Sequence, residues 1–113
     1  MRQFKEKYVI TVIAEIQVRA GDGHKQKVLN AFSKLIPTVL QEDGCHGYRL
    51  LLDYEGNVDY QSLDENMITM LEHWTDIAAL NAHLQSAHMQ AYAQEVADDV
   101  VGMKVKILTE GLA

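Results

Sequence analysis

One cysteine, one proline and one tryptophan in 113 residues set the first limits on this chain. Cys45 has no partner, so an intrachain disulfide is excluded and no zinc site can be assembled from thiolates, which fits a reducing compartment. Basic charge is also scarce: ten Lys and Arg stand against sixteen Asp and Glu, a formal net charge of −6. Nucleic acid or an anionic membrane surface asks for a basic face, so both are disfavoured as partners. With arginine limited to Arg2, Arg19 and Arg49, forked recognition of phosphate is not advertised either. No apolar run nears transmembrane length, and the signal-peptide pattern is missing. The expectation is a cytoplasmic protein without a membrane span. No Gly-rich nucleotide-binding turn occurs.

What is present is an ordinary globular composition, 48% hydrophobic and 23% charged, at a length suited to one domain over residues 1–113. Tyr8 to Val18 is rich in β-branched residues and predicts a strand. Gly21-Asp22-Gly23 ends it, with Asp22 a plausible N-cap. Val28, Phe32, Leu35, Ile36, Val39 and Leu40 then recur at helical spacing, with Pro37 expected to bend the helix. Tyr48 to Tyr54 and Ile68 to Trp74 read as two more strands joined by a polar connection from Glu55 to Asn66. Thr75 or Asp76 can cap a short helix over Ile77 to Gln85, and Ser86 another over His88 to Asp99. Met103 to Thr109 closes the order as a strand. The result is α+β: a ferredoxin-like β-α-β-β-α-β chain with a four-stranded antiparallel sheet.

Both alternating sets of the first strand are largely apolar. Ile10, Val12, Ala14, Ile16 and Val18 share one face, and Val9, Thr11, Ile13 and Glu15 the other. The strand ending at Trp74 repeats this. Two helices cover one face only, so the second predicts a homodimer with sheets face to face, a dimeric α+β barrel.

The segment Glu72-His73-Trp74-Thr75-Asp76, continuing through Ala79-Leu80 to His83 and His88, collects a carboxylate, an indole and two imidazoles. Such groups are costly to bury unless paired or used. Together with Glu42-Asp43-Gly44-Cys45-His46-Gly47-Tyr48 and Ile36-Pro37-Thr38-Val39-Leu40, this pattern resembles the antibiotic-biosynthesis-monooxygenase superfamily over about Val9 to Leu108. Within it the chain is most similar to the bacterial cofactor-free quinol monooxygenases. The resemblance implies a quinol, or a related electron-rich aromatic, oxidised by O₂ with no cofactor. A deprotonated quinol can itself give an electron to O₂, provided the protein supplies a dry slot, a base and donors for the developing anion.

Each residue has a plain reading beside the functional one. His83 follows Leu80 on one helical face and belongs to the side-chain class that exchanges protons near neutrality, so it is the candidate base; otherwise it is a helix-end histidine bonded to a carbonyl. Glu72 either orients an imidazole or makes a structural pair with Arg49, Lys104 or a histidine. Trp74 is either a core aromatic or the wall for a flat ring. Tyr48 could donate to an oxyanion or anchor a sheet edge. His88 and Tyr92, at i, i+4 spacing, could form a polar pair or cap the last helix. Met70 and Ile16 complete the expected substrate-binding set with Trp74, Tyr48, His88 and Tyr92. His73 should face the dimer interface, and His24 and His46 should be solvated. Cys45 reads as a small filler rather than a nucleophile. The five-residue step from His83 to His88, across a helix break, argues against a metal site.

The rivals are three. Haem degradation, known in a branch of the superfamily, is disfavoured because Ile16 and Ala93 stand where that branch has Asn and His. A non-redox, isomerase-like relative is disfavoured by the scarcity of arginine. A non-catalytic quinone-binding dimer stays open.

Overall fold

A computed structural model describes residues 9–112. Seven elements follow one another: β1 (Ile10–Val18), α1 (His24–Val39), β2 (Cys45–Leu51), β3 (Met67–Trp74), α2 (Ile77–Leu84), α3 (Ala87–Glu95) and β4 (Val100–Leu108). The strands form one antiparallel sheet in the order β2-β3-β1-β4. This is the expected ferredoxin-like arrangement, with the second helical segment broken into two. Tyr8, expected in the first strand, lies outside the described residues.

Alternation decides the core. Val12, Ala14, Ile16 and Val18 of β1 and Ile68, Met70, Glu72 and Trp74 of β3 share one side of the pleat and are all buried. Val28, Ala31, Phe32, Leu35 and Val39 of α1 pack onto them, spaced three or four residues apart as a helical stripe must be. On the opposite side Thr11, Ile13, Met67, Thr69, Leu71 and His73 are half-buried in the single chain.

The helices stop short of the edge strand β4. Met103, Val105 and Ile107 pair with Ile16, Ala14 and Val12, so they point to the helix-covered side. They are nevertheless 62, 49 and 48% exposed. Unpartnered apolar surface therefore continues around β4, in addition to the helix-free face that strand parity marks out.

Several boundaries differ from expectation. The α1 N-cap is Gly23, left-handed at φ 85°, with no side-chain cap bond, so Asp22 does not cap the helix. β2 begins at Cys45 and ends at Leu51, because its register is set by β3, where Leu51 meets Thr69 near the start of that strand. α3 ends at Glu95, and β4 starts at Val100, which reaches Val18 through a register shift. The junction is held by Asp99. Its buried carboxylate accepts a hydrogen bond from the His24 ring at 2.8 Å, with the Lys27 ammonium 3.5 Å away. His24 is thus a fastening residue and not merely solvated.

Candidate active site

Strand β3 supplies the floor. Glu72 and Trp74 are two residues apart, hence on one face, and the Trp74 Nε1–H donates to Glu72 Oε1 at 2.9 Å. Both are buried, at 6% and 0% exposure. Burial pushes the Glu72 carboxyl above its usual range; the Trp74 hydrogen bond and the nearby His83 offset part of this. Tyr48 sits opposite Glu72 on β2. Burial, reinforced by the Glu72 charge, drives its hydroxyl well above the ordinary phenol value, so Tyr48 is a donor and not an anion.

Helix α2 lays an imidazole over that floor. The helix starts at Asp76, whose side chain accepts the Ala79 N–H at 2.9 Å. Leu80 and His83, three residues apart on this eight-residue helix, both turn inward, with His83 1% exposed. The His83 ring lies 4.6 Å from the Trp74 ring and 5.3 Å from Tyr48, centroid to centroid. Further out, Phe32 packs at 4.7 Å, tilted by 46°, against Tyr92, whose hydroxyl pKa is also raised by burial.

The loop between α1 and β2 adds a group that sequence reasoning did not single out. Glu42 Oε2 lies 2.9 Å from His83 Nδ1 and 2.5 Å from His88 Nε2. An ionised carboxylate only accepts, so each imidazole donates to it, which leaves the other nitrogen of His83 free of that proton. Gly44 lets the loop approach. It is left-handed at φ 83°, and a Cβ there would stand 2.6 Å from the Ala79 Cβ. Its carbonyl accepts the Thr75 N–H at 2.8 Å, tying the loop to the start of α2. Ser86 then turns the chain: its hydroxyl donates to the His83 carbonyl at 2.8 Å and accepts the Met89 N–H at 3.3 Å as the N-cap of α3. That turn brings His88 back toward Glu42.

The predicted residues are therefore only partly united. His83, Trp74, Glu72 and Tyr48 form one contiguous cluster. His88 joins through Glu42, not through Tyr92, and the carboxylate that orients His83 is Glu42, whereas Glu72 serves the indole. The spacing argument against a shared ligand set also fails, because the Ser86 turn and Glu42 bring three donor atoms within 4.8 Å of one another. Met70 is core packing on the same face, two positions from Glu72. Ile16 is six residues along β1 from Ile10, the partner of Trp74, and so about 20 Å from the indole. Cys45 is half-buried, and burial raises its thiol, as befits a filler. His73 shares a hydrogen bond with Thr11 on the helix-free face at 3.2 Å, and exposed His46 another with Thr75 at 2.7 Å.

The sequence predicts a dry, enclosed slot beside Trp74; two clefts among the described residues lie elsewhere. One, of about 1160 Å³, runs between Lys25 and the loop containing Leu52, Tyr54 and Leu63; the other, about 250 Å³, lies between Gln17, Met67 and Met103. In the single chain the indole is fully packed, and the cluster meets solvent along the Glu42–His88 rim, at 14 and 29% side-chain exposure.

The model of the antibiotic biosynthesis monooxygenase family matches residues 9–95. The chain belongs to that family. It is 48% identical over 104 residues to the probable quinol monooxygenase YgiN of Escherichia coli, covering 92% of this chain and 100% of that one, and matches the protein of that name from Shigella flexneri equally well. A conserved protein of Methanosarcina mazei has the same fold at TM-score 0.78 and 25% identity, covering 95% of this chain and 97% of its own. A Pseudomonas aeruginosa protein follows at 0.77 and 25%, covering 96 and 98%. Among family features in this chain, Glu42 could have been found from the motif Glu-x-Gly-x-x-x-Tyr, whose acid, glycine and tyrosine all prove to be site-building residues.

Proposed function

We propose that this chain is a quinol monooxygenase that uses O₂ and no cofactor of its own, working as a cytoplasmic homodimer. The observation that carries the reading is a buried imidazole, His83, held through Nδ1 by Glu42 and walled by Trp74 and Tyr48. The 48% identical relative named a probable quinol monooxygenase supplies the substrate class.

In this mechanism the free nitrogen of His83 takes the proton of a quinol hydroxyl, and Glu42 stabilises the imidazolium that forms. The quinolate is the reductant: it passes one electron to O₂, and the radical pair joins at ring carbon. Net, QH₂ and O₂ give a hydroxylated quinone and one water, so atoms and electrons balance without a further reductant. Tyr48, kept protonated, is a donor for the developing oxyanion. His88 on the rim returns the proton to solvent. Glu72 positions Trp74.

A second copy supports this site by covering apolar surface that one chain leaves open, Met103, Val105 and Ile107 among it. No helix among the described residues is long and apolar enough to cross a membrane.

The test is anaerobic loading with a naphthoquinol followed by O₂, with mass analysis of the product. Wild type should form a product one oxygen atom heavier than the parent quinone, and His83→Ala should fall to the spontaneous rate. Quinol binding with equal background rates for both would mark a binding protein instead. A stable monomer at micromolar concentration in sedimentation would remove the dimer.

A further inference from the structure

Glu42, His83 and His88 present one carboxylate oxygen and two ring nitrogens, from a loop and two helices, to a common point. All three donor atoms lie within 4.8 Å of one another. We propose that these three side chains form a binding site for a late first-row divalent cation of the Zn²⁺ class. The donor set is the argument for that class. Two imidazoles and one carboxylate suit zinc, cobalt or nickel, whereas magnesium and calcium want oxygen donors throughout.

The three donor atoms, within 4.8 Å of one another, must rearrange around an ion, which takes a shift of one side chain. Around an ion with bonds of about 2.0–2.1 Å, tetrahedral donors stand about 3.3 Å apart. The His83–Glu42 separation of 2.9 Å is a few tenths short of that, and the His88–Glu42 separation of 2.5 Å somewhat more. His83 is fixed by burial and by its packing on Trp74. His88 is 29% exposed on the first turn of a nine-residue helix, so it is the ligand able to move. Its exposure leaves a side of the ion open to water, as three-ligand sites require. The charge also fits: with both rings neutral, the set carries the single negative charge of Glu42.

Binding itself does not depend on the quinol reading. A consequence does: the ion would take the Glu42 oxygen and His83 Nδ1 and so break the pairing that leaves the base available. Zinc should therefore inhibit turnover, reversibly on chelation.

Chelator-stripped protein is titrated with Zn²⁺ by calorimetry and with Co²⁺ by visible absorption. One ion per chain is expected, with cobalt bands of tetrahedral or five-coordinate intensity. Glu42→Gln and His88→Ala should each weaken binding by about 10-fold or more. His46→Ala, an exposed histidine outside the set, should bind as wild type does. Circular dichroism checks that the variants fold, and zinc should raise the melting temperature of wild type but not of His88→Ala. Absence of saturable one-to-one binding, or unchanged affinity in both ligand variants, overturns the site. Zinc bound at one per chain without slowing quinol oxidation would leave the site standing and remove His83 as the base.

Discussion

Replacing Glu42 by Gln tests the carboxylate that serves both imidazoles. The change keeps the length of the side chain and an accepting oxygen, and removes the charge. A hydrogen bond to a charged group is worth about 1.5–3 kcal/mol net, a neutral one about 1 kcal/mol. The His83 bond, at 2.9 Å in a site where the imidazole is 1% exposed, should therefore lose about 1–2 kcal/mol of support for the imidazolium. That corresponds to about a 5- to 30-fold fall in kcat. The amide can also flip and donate to His83 Nδ1, moving the ring proton to the nitrogen needed as base, which adds to the loss. Because Glu42 acts through His83, KM for a naphthoquinol should change little. The assay is O₂ uptake under saturating quinol, with thermal melts confirming the fold. A folded variant with kcat within about twofold of wild type would refute the assignment.

Three further outcomes follow from the packing. Gly44→Ala forces a side chain into a left-handed position and against Ala79, at a combined cost of about 2–4 kcal/mol; the melting temperature should drop by roughly 8–16 °C. Glu72→Gln can still accept the Trp74 N–H and removes a carboxylate whose pKa burial raises above 4.5. A raised acid loses stability as pH climbs, so the variant should match wild type near pH 4 and gain over it toward neutrality in denaturant titrations. Asp99 behaves in the opposite way: its His24 hydrogen bond lowers its pKa from 3.8. Its contribution is present above that value and is lost as pH falls through the lowered one, so the melting-temperature gap between wild type and Asp99→Asn should shrink below about pH 4.

Strand parity in β1 and β3 was readable because one face of each is buried without exception, from Val12 to Val18 and from Ile68 to Trp74. The ends were less readable. β2 leaves β3 after the Leu51–Thr69 pair, although β3 runs on to Met67, and no propensity in Leu52, Asp53 or Tyr54 reports that. The Asp22 reading failed because Gly23, free to take the left-handed conformation, moves the cap by one residue. At the site, same-face spacing was enough to unite Glu72 with Trp74, and helical spacing enough to turn His83 inward. Glu42 escaped because its role depends on a contact 41 residues distant along the chain, made possible by Gly44. Periodicity carries no information about such a meeting. The covering of the helix-side face also misled: three helices are wide enough for β1 and β3, but not for the edge strand.

Two of the three polar groups in the Glu42–His83–His88 cluster ride on helices of eight and nine residues. Segments of that size do not hold their shape unaided in water. Warming should therefore loosen the placement of His83 and His88 before the sheet gives way.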